Sequence, residues 1–168
     1  MPAAPLDLSD QALREGLATC LAVPRWVDEV AAGAPYASLD DLLDAAGVAA
    51  TPLTGEEVDQ ALADHPRIGE AVAGDSAAGS FSAEEQSASA SNDAELAARL
   101  AAGNRAYEEK FGRIFLIRAA GRSRPEILEE LQRRLQLDPD ADTKVAAAEL
   151  RDIALRRITR LFAGLAEQ

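Results

Sequence analysis

Four times in this chain a serine or threonine is followed three residues later by an acidic residue: Ser38 and Asp41, Thr54 and Glu57, Ser82 and Glu85, Ser123 and Glu126. At that spacing the hydroxyl accepts from a first-turn backbone N–H while the acid can reach back to the cap N–H, so each pair marks a helix start. Nothing between these starts suggests a parallel sheet, and no internal repeat is apparent. The spacing therefore predicts an all-α protein, a compact multi-helix bundle forming a single domain over residues 1–168.

Apolar periodicity fills in the helices. Ser9 caps one with Leu13, Leu17, Cys20 and Leu21 at three-to-four spacing, and Pro24 opens a second with Trp26, Val27 and Val30. Ser38 opens a third, with Gly47 as its expected end. The helix begun at Thr54 must stop near Asp64 or His65, because a residue before proline is disfavoured in helical geometry. Residues 67–81, rich in Gly, Ala and Ser, read as the longest loop. "SAEEQ" opens a helix expected to run to about Ala102. Tyr107, Phe111 and Phe115 then share a stripe, and "RIFLIRAAG" is ambiguous between helix and strand. Ser123 opens a helix with Ile127, Leu128, Leu131 and Leu135, and a last helix covers about Ala141 to Ala166. Aromatics make up only 4% of the chain, so alanine and leucine must fill most of the interior.

Charge and composition exclude several function classes. A net charge of −12 opposes binding to nucleic acid or to an anionic membrane. It leaves room for a small anionic substrate, since one arginine can dominate a pocket. One histidine and one cysteine make a zinc site a poor expectation and exclude an internal disulfide framework. The N-terminus lacks the basic and apolar regions of a signal peptide, and no apolar run approaches a membrane span.

Three places could carry chemistry. His65, the single histidine, precedes Pro66 at a helix end, where the dipole favours its cation and proton transfer near neutral pH suits it. The alternative is a surface or capping histidine. Ser82, Glu85 and Gln86 are either a plain capping box or a polar pocket wall at a helix start. Arg157 lies four residues after Ile153 and four before Leu161, on a face shared with Leu150 and Leu165. A 3.6-residue period turns it inward, where a guanidinium needs an anionic partner, while Arg156 and Arg160 fall off that face. The alternative is a snorkelling side chain or an internal ion pair. Together these make a metal-free kit for a polar anion; a non-catalytic helical interaction module remains the main rival.

"HPRIGE", "SAEEQ", "NRAYEEKFGRIFLI", "EILEELQRRL" and "ELRDIALRRITRL" occur in that order, preceded by "TCLAVPRW" and "PYASLDDLLDAA". This ordered set resembles the 2-oxo-4-hydroxy-4-carboxy-5-ureidoimidazoline (OHCU) decarboxylase family of urate degradation. The resemblance implies a one-domain helical homodimer that needs no metal or organic cofactor. It also implies loss of carbon dioxide from the ureidoimidazoline to give (S)-allantoin, with the ring absorbing the electron density as an enolate-like species. It puts the acid–base role on His65, paired with Glu85, and a ligand-holding role on Arg157. Pro66, Ser82, Ala83, Glu84 and Gln86 are implied to touch the ligand, with the backbone of Phe115, Leu116, Ile117, Arg118 and Ala119. A related enzyme acting on another ureido compound stays open. The C-terminal "LAEQ" lacks a peroxisomal signal, so the expected setting is a bacterial cytoplasm, with no nucleic-acid or membrane partner.

Overall fold

The structure, a computed structural model, describes residues 5–63, 65 and 94–166. Among them are seven helices and no strand: α1 (Asp10–Cys20), α2 (Pro24–Ala32), α3 (Leu39–Ala49), α4 (Gly55–Leu62), α5 (Ala94–Phe111), α6 (Arg124–Arg134) and α7 (Pro139–Ala166). The Ser82–Glu85 pair and the loop expected over 67–81 lie outside the described residues.

The caps behave as their chemistry requires. Thr54 and Ser123 close full boxes: each hydroxyl accepts from the N3 amide, and each cap N–H donates to the Glu57 or Glu126 carboxylate, at 3.0 and 2.7 Å. Ser9 accepts from Ala12 N–H at 3.1 Å. At Ser38 the box does not close. Its acid, Asp41, is one methylene shorter than glutamate, and it accepts the Ser38 hydroxyl at 2.8 Å instead.

Two helix boundaries differ from the sequence reading. Helix α3 runs through Gly47 to Ala49, is capped at Ala50 and so stops two residues before Thr51, the residue preceding Pro52; it does not end at the glycine. Helix α5 continues past Ala102 to Phe111 as one piece. A methyl group at Gly103 would lie 2.5 Å from Leu131 Cδ2, so this glycine lets α5 and α6 approach closely instead of breaking the helix. The true stop is Gly112, at φ 71°. Phe115 therefore leaves the helical stripe, yet its ring still meets Tyr107 edge-on at 5.3 Å between centroids.

Helix α7 is the spine: α1, α3 and α4 pack on it, α2 packs on α1 and α3, and α5 pairs with α6. The larger core gathers Leu13, Leu17, Trp26, Leu42, Val58, Leu150, Ile158 and Phe162. Each such buried side chain contributes about 1.5–3 kcal/mol relative to exposure. Trp26 Nε1–H donates to Ala46 O at 2.9 Å, so its polar end is satisfied inside the core. Arg25 ties three helices, donating to Glu57 at 2.7 Å and to the Ala49 carbonyl at 2.9 Å. That guanidinium holds the Glu57 carboxyl below its usual range. A second core joins Leu100, Tyr107, Phe115, Ile117, Ile127 and Leu131 between α5 and α6.

The inward face of α7 is turned slightly from expectation. Leu150, Ile153 and Arg157 are buried, with Ala154, Ile158 and Phe162 beside them, while Leu161 is 38% exposed. Arg156 and Arg160 are exposed, as expected.

Candidate active site

His65 sits three residues past the last residue of α4, its amide donating to Leu62 O at 3.1 Å. Its side chain is half-buried. Arg157, from the middle of α7, is 3% exposed. Burial pushes the imidazole pKa down from 6.5 to about 3, and the Arg157 charge adds to that shift. Arg157 thus lies within electrostatic reach of the lone histidine, although 92 residues separate them in sequence.

The charge state differs from the sequence reading. The helix dipole favours an imidazolium by about 0.3–1 kcal/mol at exposed sites. Removal from water and a guanidinium neighbour both act the other way, and they win. His65 is neutral at physiological pH. A neutral imidazole carries a lone pair that can accept a proton, and the cation beside it favours an arriving anion.

The sign of the pH effect follows. The unfolded chain takes up a histidine proton near 6.5, whereas the folded chain resists it down to about 3. Stability from this group is complete above 6.5 and declines as pH falls from there toward 3. Because the chain has one histidine, a single imidazole Hε1 resonance reports it. We expect that resonance not to titrate between about pH 5 and 8, and Arg157→Gln to raise its midpoint. A wild-type midpoint near 6.5 would contradict the geometry.

The segment Phe115–Ala119 follows α5 without helix or strand pairing, which resolves the ambiguity of "RIFLIRAAG". Phe115, Ile117 and Ala119 join the α5–α6 core, while Leu116 joins the larger one. Such alternation is the period of extended chain. Arg118 is half-buried, and its guanidinium donates to Ala120 O at 3.1 Å. Gly121, at φ 79°, then turns the chain into α6.

Buried charges surround this segment. Arg134 and Asp142 are fully buried and paired at 2.7 Å. Arg134 also donates to the Leu116 carbonyl and, at 3.0 Å, to the Tyr107 hydroxyl, which itself donates to Asp142. Burial pushes the Tyr107 phenol up to about 12. Sequence reasoning singled out none of Arg134, Asp142 and Glu149. The signal was present, since Arg134 falls seven residues after Ile127 and three after Leu131, the same inward register that exposed Arg157.

Pro66, Ser82, Ala83, Glu84, Glu85 and Gln86 lie outside the described residues, so of the expected site residues the structure describes His65, Arg157 and the 115–119 segment. Among the described residues no group of three or more His, Cys, Asp or Glu could hold a metal ion, and no helix is long and apolar enough to cross a membrane.

An all-α scaffold with a neutral imidazole in electrostatic reach of a buried guanidinium narrows the class to helical proteins with a candidate acid–base site. This chain belongs to the OHCU decarboxylase family, whose profile matches residues 7–159. It is 31% identical over 132 residues to the mouse (Mus musculus) 2-oxo-4-hydroxy-4-carboxy-5-ureidoimidazoline decarboxylase, covering 76% of this chain and 73% of that protein. It is 35% identical over 112 residues to the uric acid degradation bifunctional protein of Arabidopsis thaliana, covering 64% of this chain but 34% of the plant protein. The chain thus matches about a third of that relative's length. A crystal structure of an OHCU decarboxylase in the presence of (S)-allantoin superposes with a TM-score of 0.75 at 25% identity, over 93% of this chain and 99% of that one. An (S)-allantoin synthase structure shares the fold, with a TM-score of 0.65 at 16% identity over 92% of this chain and 51% of that one.

Proposed function

We propose that this chain removes carbon dioxide from 2-oxo-4-hydroxy-4-carboxy-5-ureidoimidazoline and delivers (S)-allantoin, using neither metal nor organic cofactor. Family membership over residues 7–159 and the 0.75 superposition on an allantoin-containing relative support the substrate. The observation that supports the mechanism is the neutral His65 within electrostatic reach of the buried Arg157.

In this reading Arg157 receives an anionic oxygen of the substrate, offering a planar fork of donors in a site poor in water. As the carbon–carboxylate bond breaks, carbon dioxide leaves and its electron pair passes into the ring. The resulting anion takes one proton from solvent at a ring nitrogen, and the enol so formed loses its hydroxyl proton while a ring carbon gains one from a single face. His65 accepts and returns that proton, oriented by Glu85; a group already carrying a proton at neutral pH could not begin the cycle. Pro66 packs on the ring, Ser82 and Gln86 read the ureido arm with Ala83 and Glu84 along the same turn, and the backbone of residues 115–119 lines the site. Because the ring takes up the electron pair, no separate electron sink is needed. The family resemblance extends the reading to a cytoplasmic homodimer with one domain over residues 1–168.

A non-catalytic interaction module would need an exposed apolar patch. Among the described residues Val48 and Leu161 are the exposed large hydrophobics, which gives that reading little support. The test is the handedness of the product. Freshly generated substrate decays spontaneously without chiral control, so enzyme-treated samples should give optically pure (S)-allantoin. Product that stays racemic, formed no faster than in buffer, would remove the proposal.

A further inference from the structure

Helix α7 carries three buried charged side chains on one face, Asp142, Glu149 and Arg157. They are seven and eight residues apart, two helical turns each time. At 1.5 Å rise per residue, Glu149 lies about 12 Å along the axis from Arg157. Glu149 itself is only 8% exposed. It accepts the Arg118 backbone N–H at 2.8 Å and pairs with Arg122 at 3.3 Å.

The Arg118 amide belongs to the same extended stretch whose Leu116 carbonyl is held by Arg134. In extended chain, residues two apart present their backbone polar groups to the same edge. Arg134 and Glu149 therefore grip one edge from α6 and α7, and the edge carrying the Ile117 backbone is set by those grips. A buried carboxylate costs desolvation, and Arg122 alone would be a poor reason to bury it. The amide is the shorter contact and the one that fixes a backbone.

We infer that Glu149 is a positioning residue for the reaction: by holding the Arg118 amide it sets where the 115–119 wall stands relative to Arg157 on the same helix. This rests on the reading that the wall lines the decarboxylase site. One rigid helix then fixes both sides of the pocket, its guanidinium directly and its wall through Glu149.

The test uses the full chain and three variants. Glu149→Asp keeps the charge for Arg122 but shortens the reach by one methylene, which withdraws the carboxylate from the amide. Glu149→Gln keeps an acceptor at full reach and weakens the ion pair. Arg122→Ala removes the ion pair and leaves the amide contact. We expect Glu149→Asp to raise KM for the ureidoimidazoline about tenfold or more and to lower the optical purity of the product, since misplacement by an ångström costs up to about 10²-fold. Glu149→Gln and Arg122→Ala should stay within about threefold of wild type, the range left by losing a partly exposed pair. Exchange of the Arg118 amide with deuterium should quicken in Glu149→Asp alone, a signature that a loss of overall stability would not confine to one segment.

Glu149→Asp kinetics like wild type, or losses in Glu149→Gln and Arg122→Ala that match those in Glu149→Asp, overturn the inference. If the variants lose only thermal stability, with KM and optical purity of the folded fraction unchanged, the role is structural and the inference fails. A wild-type chain that produces no excess of (S)-allantoin removes the parent reading together with this one. An active wild type with an indifferent Glu149→Asp removes this one alone.

Discussion

Asp142→Ala is expected to destabilise the protein by about 3–5 kcal/mol, the cost of leaving a buried charge without its partner. The Asp142 carboxylate is fully buried, receives Arg134 Nε–H at 2.7 Å and the Tyr107 hydroxyl, and has Arg113 at 3.7 Å. Its loss strands a guanidinium with no exposed surface among Tyr107, Phe115 and the Leu116 carbonyl. Total stabilities of roughly 5–15 kcal/mol make this a large fraction, and for a chain of this size the melting temperature should fall by on the order of 10 °C. The double variant Arg134→Met/Asp142→Leu should recover much of that loss, because an apolar pair removes the stranded charge. Thermal and urea unfolding of the single and double variants would measure the coupling. A loss under about 1 kcal/mol in Asp142→Ala would mean the site admits water, contrary to its burial.

Turnover, with stability nearly untouched, is what His65→Ala should lose. The ring is neutral, so its removal at neutral pH strands no buried charge. Positioned acid–base groups contribute typically about 10²–10⁴-fold, and kcat for (S)-allantoin formation should drop within that range. Because the substrate also decays by itself, the readout is optical rotation or circular dichroism of the product after subtraction of the buffer reaction. Retained optical purity at wild-type rate would place the proton transfer on another group. Unfolding of the variant at room temperature would assign His65 a packing role instead.

These two experiments probe features of very different visibility in the sequence. The catalytic candidates stood out because their surroundings are anomalous: a lone histidine before proline, and an arginine on an otherwise apolar helical face. The buried pair was hidden by two ordinary appearances. Asp142 occupies the first turn of α7, where acids are common for the helix dipole alone, and Arg134 sits in the last turn of α6, where cations are common for the same reason. Glu149 reads as a solvated acid in an alanine-rich helix until its place four residues before Ile153 is compared with that of Arg157, four after. Gly103 and Gly47 misled in the opposite way. A glycine in a helix suggests an end, but at Gly103 the missing Cβ serves the approach of Leu131.

Hydroxyl-to-acid spacing and apolar period suffice to make this chain helical, to place most helix starts and to turn Arg157 inward, because capping and periodicity act between residues close in sequence. The protonation state of His65, the extended path of residues 115–119 and the pairing of Arg134 with Asp142 depend on groups brought together from distant parts of the chain. Desolvation and charge proximity are properties of the packed volume, and no local pattern encodes them.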